Sequence, residues 1–109
     1  MDTALFRPLT LRNVTLPNRI TISPMQQYMA GRDGFVRDWH FVHLAKMAVG
    51  GAGTVFTEAL AIVPEGRVTY HDLGIWSDDH LEGMKRLAGG IADHGAVPAT
   101  QLIHAGRKA

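Results

Sequence analysis

Apolar positions along this chain recur with two alternating periods. Near the amino end, Leu9-Thr10-Leu11 and Val14-Thr15-Leu16 alternate apolar and polar side chains around Arg12-Asn13, which predicts two short strands joined by a tight turn. Pro17 ends that hairpin. Arg19-Ile20-Thr21-Ile22 reads as the next strand, stopped by Pro24, because proline cannot donate to a sheet ladder. Gly31-Arg32-Asp33-Gly34 is loop. From Asp38, placed as an N-cap, the period lengthens: Phe41, Leu44, Ala45, Ala48 and Val49 fall on one helical face, and Gly50-Gly51 supplies the stop. Residues 53–57 form a compact β-branched and aromatic run, hence a strand. Residues 58–72 are mostly polar and turn at Pro64-Glu65-Gly66, which predicts a long loop. Ser77 caps a second helix, with Asp78 and Asp79 in its first turn where the helix dipole favours negative charge. Leu81, Met84, Leu87, Ala88 and Ile91 form its buried stripe, Gly95 closes it, and residues 97–103 are the last strand.

The order is therefore hairpin, β, α, β, α, β. Strands alternating with helices imply parallel pairing through right-handed crossovers, and strands apolar on both faces are expected where helices cover a sheet. Three strands and two helices bury little surface, whereas a complete (β/α)8 barrel needs about 250 residues. The fold class predicted is α/β: the amino-terminal part of a TIM barrel, about three βα units with a base-capping hairpin. Residues 1–109 read as the amino-terminal portion of one such domain, truncated.

Composition removes several function classes. Eleven basic residues are scattered among ten acidic ones for a net charge of +1, which argues against a nucleic-acid surface with its clustered Lys and Arg. The absence of cysteine excludes disulfides and thiolate metal sites. No stretch approaches the ~18 to 20 apolar residues of a membrane span. The opening Met1-Asp2-Thr3-Ala4-Leu5-Phe6-Arg7 carries an acid and no long apolar run, unlike a secretory signal. A cytoplasmic location, with no nucleic-acid or membrane partner, is the expectation. His40 and His43 share a helical face, but no carboxylate or third histidine lies at ligand spacing. They read as a packing pair, and no metal site is predicted.

In a parallel α/β fold the active site gathers at the carboxyl ends of the strands. Here those ends are Ser23-Pro24-Met25-Gln26-Gln27-Tyr28, then Glu58-Ala59, then Gln101 with His104-Ala105-Gly106-Arg107. Brought to one rim, they offer backbone groups, apolar surface, amides and a phenol, a combination suited to a flat heteroaromatic. Taken alone, Gln101 also reads as a satisfied core amide and Tyr28 as a loop-packing aromatic.

At these residues a resemblance becomes specific. Leu5-Phe6-x-Pro8, Leu16-x-Asn18-Arg19-Ile20, Ser23-Pro24-Met25 with Tyr28, Glu58-Ala59, Gly66-Arg67, Asp72-Leu73-Gly74-Ile75-Trp76-Ser77-Asp78 and Gln101-Leu102-x-His104-Ala105-Gly106-Arg107-Lys108-Ala109 occur in the order and spacing of the old yellow enzyme family of FMN-dependent NADH:flavin oxidoreductases. The chain resembles the amino-terminal part of that family's bacterial branch, over essentially all 109 residues. The resemblance implies a (β/α)8 barrel that holds FMN at its top. Ser23, Pro24, Met25 and Gln26 would line the flavin, Ala59 would touch its rings, and Gln101 would bind the pyrimidine edge. A side-chain amide sets a donor beside an acceptor, as that edge requires. Tyr28 would sit over the substrate pocket. Gln26 departs from the family, which carries cysteine or threonine there. A thiol or hydroxyl at that point tunes the flavin; the longer amide of Gln26 would stand at that tuning position with a different reach, a departure that bears on redox tuning and thiol regulation and not on flavin binding.

The implied reaction passes hydride from NADH or NADPH through FMN to an activated alkene such as an enone or a quinone. The paired side chains that grip the substrate carbonyl, and the tyrosine that donates the proton, belong to strands beyond residue 109, so the isolated chain is expected to be inactive. The complete protein is expected to be a homo-oligomer. The alternative is a non-catalytic truncated homologue that acts as an interaction module through its sheet edge. A third reading, an unrelated FMN- or phosphate-binding barrel, does not account for the order of the motifs.

Overall fold

The computed structural model describes residues 3–109. Met1 and Asp2, which carry part of the argument against a secretory signal, lie outside the described residues. A 3-10 turn at Ala4–Phe6 leads into the hairpin of β1 (Leu9–Leu11) and β2 (Val14–Leu16), antiparallel with Leu9 opposite Leu16. Arg12 takes φ 56° at the turn, the left-handed region that tight hairpins need. There follow β3 (Thr21–Ile22), α1 (Asp38–Val49), β4 (Thr54–Phe56), β5 (Leu60–Ala61), α2 (Leu81–Asp93), β6 (Val97–Ala99) and β7 (Leu102–Ile103). Strands β3, β4 and β6 pair in parallel in that order, and β5 pairs with β7. These are the first βα units of a barrel wall. Among the described residues, no helix is long and apolar enough to cross a membrane.

The principal core lies between the helices and β4. Leu44 and Ala48 of α1, Leu87 and Ile91 of α2, and Val55 of β4 are buried together with Ala52 and Ala96. Burying a side chain such as Leu87 or Ile91 stabilises by roughly 1.5–3 kcal/mol. The two helices approach closely at Gly90, where a Cβ would stand 2.4 Å from the Phe41 ring. That contact, rather than helix propensity, accounts for a glycine inside α2. Two members of the predicted stripes are instead exposed, Val49 and Leu81. Each stands at a helix end, beyond the reach of the facing helix, and Met47 packs against the core from the last turn of α1.

Five expectations about local structure are corrected, the last of them in part. The stretch 58–72 is not all loop: Leu60 and Ala61 are fully buried and form β5 beside β7. Conversely, 97–103 is not one strand, because the ladder breaks at Thr100 and Gln101. Asp38 is the first helical residue and not the N-cap. Arg37 holds that place, and its backbone N–H donates to His40 Nδ1 at 3.0 Å. Ser77 caps a 3-10 turn, Asp78–His80, that runs directly into α2, its Oγ accepting from the Asp79 N–H. The expected burial of both strand faces holds for β4 and β5 and fails for β6 and β7, where Pro98 and Leu102 are exposed at the edge of the sheet.

Candidate functional site

The carboxyl ends of the parallel strands are joined by hydrogen bonds that run from tip to tip. Three residues, 57–59, separate β4 from β5, but only two, 100 and 101, separate β6 from β7. The extra residue makes a bulge at the tip of β4, a device that re-aims side chains beside active sites. The bulge is stitched on both sides. The Thr57 N–H donates to the Ala99 carbonyl at 2.9 Å and the Leu60 N–H to the Gln101 carbonyl at 2.8 Å. The Thr57 and Thr100 hydroxyls meet at 2.6 Å. From the opposite side, Gln26 Oε1 accepts the Ala59 N–H at 2.8 Å. Gln26, Ala59 and Gln101, assigned from three separate strand ends, therefore lie along one continuous rim.

The remaining predicted residues surround that rim with different exposure. Ser23 is exposed, Pro24 half-buried and Met25 49% exposed. Ser23, Met25 and Gln27 share a small cavity wall with Phe56 and Glu58, so the end of β3 lies against the end of β4. Tyr28 is 52% exposed and holds φ 59°, a conformation that costs a non-glycine residue of order 1–3 kcal/mol and concentrates at functional sites. Its segment is fastened to the loop before α2, because the Ala30 N–H donates to the His71 carbonyl at 3.1 Å. No hydrogen bond brings Tyr28 to Ala59 or Gln101. Gln101 is exposed, with its side-chain amide free to meet a ligand.

A concavity of about 570 Å³ lies along Pro64, Arg67 and Tyr70 and contains none of the strand-tip residues. A second, about 200 Å³ and mostly apolar, opens between β6 and α2 at Met84, Ala88 and Pro98.

Two polar features of the site escaped sequence reasoning. One is the hydroxyl pair Thr57–Thr100, which depends on strand register. The other is a buried pair beneath the β4 tip: Glu58, 4% exposed, and His40, with Nε2 3.9 Å from Glu58 Oε2. Burial raises the Glu58 carboxyl to about 7; hydrogen bonding from the Gln27 backbone opposes this, and the Asp72 charge adds to it. Burial also lowers His40 below its ordinary value, and His43 likewise, with Lys46 adding to the latter. An ionisable residue inside the run Phe56-Thr57-Glu58-Ala59-Leu60 was the available signal. Asp72 is fully buried too, but its carboxylate accepts from the Val68 and Thr69 N–H groups and the Thr69 hydroxyl, which fixes the loop before α2. Among the described residues, no three His, Asp or Glu side chains gather as a metal site would require.

The residues present suit a flavin on one observation above all. Gln26 spends its carbonyl on Ala59, which leaves its Nε2 buried and without a partner. Such a donor calls for an acceptor. The exposed Gln101 amide offers a second donor and acceptor along the same rim.

Comparison with known proteins gives a consistent answer. The sequence profile of the NADH:flavin oxidoreductase / NADH oxidase family matches residues 4–109. An NADPH dehydrogenase of Geobacillus thermodenitrificans is 49% identical over 109 residues, 99% of this chain and 32% of that protein. One from Bacillus pumilus is 51% identical over 110 residues, with 100% and 32% covered. Among solved structures, a morphinone reductase superposes with a TM-score of 0.88 at 29% identity, over all of this chain and 28% of its own. An old yellow enzyme homologue from Zymomonas mobilis gives 0.83 at 29% identity, over 94% and 28%. The chain thus spans about a third of the length of the curated relatives it matches. With the family profile and the solved structures in agreement, this chain belongs to the NADH:flavin oxidoreductase / NADH oxidase family, and its fold is the amino-terminal part of an old yellow enzyme barrel.

Proposed function

We propose that residues 1–109 are the amino-terminal portion of a single FMN-binding barrel domain that reduces activated alkenes, such as enones or quinones, at the expense of NADPH or NADH. The observation that carries this reading is the run of contacts along the rim, in which Gln26 Oε1 accepts the Ala59 N–H and the Gln101 carbonyl accepts the N–H of the next residue, Leu60, with one buried unpaired amide donor and one exposed amide along it. When bound, FMN would supply hydride acceptance from the nicotinamide and hydride delivery to the alkene. Ser23, Pro24 and Met25 would wall one side of the ring system. Ala59, largely covered by its neighbours, would present only its methyl group. Gln26 Nε2 would donate a hydrogen bond to the flavin, while its carbonyl keeps the amide oriented. Gln101 would hold the pyrimidine edge with donor and acceptor side by side. Tyr28, exposed and held in a strained conformation, would face the substrate. Activated-alkene acceptors, a cytoplasmic location and assembly as a homo-oligomer complete the proposal for the whole protein, and the NADPH dehydrogenase relatives support the choice of NADPH as reductant.

The exposed edge at β6 and β7 suits the next strand of a barrel. It is also the feature that the interaction-module reading would use.

Absorbance tests the proposal. The complete protein, purified without added cofactor, should show the visible bands of oxidised flavin, and these should bleach on addition of NADPH. A colourless protein that also fails to take up added FMN contradicts it.

A further inference from the structure

Beneath the tip of β4, Glu58 is a buried carboxyl that the chemistry proposed above does not use. His40 packs against it from α1. Its Nδ1 accepts the Arg37 N–H at 3.0 Å, so the neutral ring carries its proton on Nε2. That nitrogen faces Glu58 Oε2 at 3.9 Å, too far for a hydrogen bond. Neither His40 Nε2 nor Glu58 Oε1 has a hydrogen-bond partner. A cavity of about 10 Å³ borders Glu58 and reaches Ser23 and Met25, with His43 and Gln27 also in its wall. That is room for about one water centre. His40 faces the carboxyl from α1 and His43 lines the same cavity as Glu58, while the charges of Arg37, at the helix cap, and Lys46 act on the two histidines. Asp72 faces the carboxyl from the loop before α2, and the Gln27 backbone from the segment after β3. Asp72 is already engaged by Val68 and Thr69.

We infer that Glu58, packed against a neutral His40, is a buried titrating carboxyl under the rim, whose charge is felt by the bound flavin through Ala59 and the water-sized cavity. The inference rests on the flavin reading of the site. Glu58 is a positioning residue here, one covalent link from Ala59 and separated from the Ser23–Met25 wall by a single small cavity. Because burial raises its carboxyl to about 7, Glu58 is uncharged on the acid side and carries one negative charge on the alkaline side; burial lowers His40 from its ordinary value and so favours its neutral ring. That charge opposes the arrival of electrons at the rim.

The test is the midpoint potential of the FMN-loaded protein, followed from about pH 5 to about pH 9, for the unsubstituted protein and for Glu58→Gln. The unsubstituted curve should break at about pH 7. Glu58→Gln should lack the break, matching the unsubstituted protein on the acid side and lying at more positive potential on the alkaline side. Parallel curves in two proteins that both bind FMN overturn the coupling. A protein that binds no FMN overturns the reading of the site and the coupling with it. Should Glu58→Gln not fold, carbon NMR of the Glu58 carboxyl in the unsubstituted protein decides the titration itself. Titration at about 7, moved by His40→Gln, supports it; titration at the ordinary carboxyl value, 4.5, overturns it.

Discussion

The tips of β4 and β6 sit side by side on one rim and have opposite surroundings. At β4, residues 57–59 bulge outward and are buried on every side: the Ala59 N–H is held by Gln26, Thr57 by Thr100 and Ala99, and Glu58 lies against α1. At β6, Thr100 and Gln101 are exposed, and Leu102 just beyond is 60% exposed. One tip is fixed by this chain's own contacts, while the other presents its side chains outward. A cofactor site needs both kinds. The enclosed tip supplies preorganised groups at low reorganisation cost, and the open tip supplies the hydrogen-bonding edge that a ligand can reach.

The contrast breaks most sharply at the paired leucines of β5 and β7. Leu60→Ala should cost about 3 kcal/mol, because a fully buried side chain leaves a cavity. Leu102→Ala should cost less than about 0.5 kcal/mol. Urea unfolding of the two variants measures the difference, and equal losses would remove the distinction between the tips.

Next in size is the pH dependence from Glu58. Its folded carboxyl lies at about 7 against an ordinary 4.5, so the folded state holds the proton more tightly. The burden on folding is nil below about pH 4.5, grows as the pH rises through that window, and is complete above about pH 7, where it amounts to about 3 kcal/mol. His40, lowered by burial, acts in the other direction and weakens folding as the pH falls below its ordinary 6.5. Glu58→Gln should therefore gain on the unsubstituted protein progressively between those two limits, as read from unfolding curves at fixed pH. A constant difference across the range would contradict the assignment.

Smaller effects separate the two amides. Gln26→Ala removes the bond to the Ala59 N–H and leaves that buried donor unpaired, a loss of about 1–2 kcal/mol. Gln101→Ala should leave stability within about 0.5 kcal/mol and should still lower FMN occupancy after dialysis. Unchanged occupancy would count against Gln101 as a flavin contact.

Much of this organisation is legible in the sequence, for reasons that also mark the boundary of what is legible. The hairpin announces itself at Arg12-Asn13, where a positive φ is needed and found. The stripes Leu44–Ala48 and Leu87–Ile91 follow helical spacing and do form the core. The places of the three tips follow from parallel topology. What stays hidden depends on partners far along the chain. Strand β5 is two residues long, too short to show a period, and is a strand only because β7 lies beside it. The break at Thr100 and Gln101 reflects one residue more in the neighbouring path. The cap of α1 comes from a histidine ring three residues into the helix, where sequence patterns look for a short polar side chain. Glu58 read as the start of a loop because nothing local reveals that α1 covers it. The amide of Gln26 was assigned to the rim from its position, but its grip on Ala59, 33 residues away, belongs to the folded chain alone.

A crystal structure of the FMN-loaded protein examines the rim most directly. The account predicts the ring system lying over the Gln26–Ala59–Gln101 line, with the Gln101 amide paired to its pyrimidine edge and Gln26 Nε2 donating to it. FMN bound elsewhere, with Gln101 still facing solvent, would contradict it.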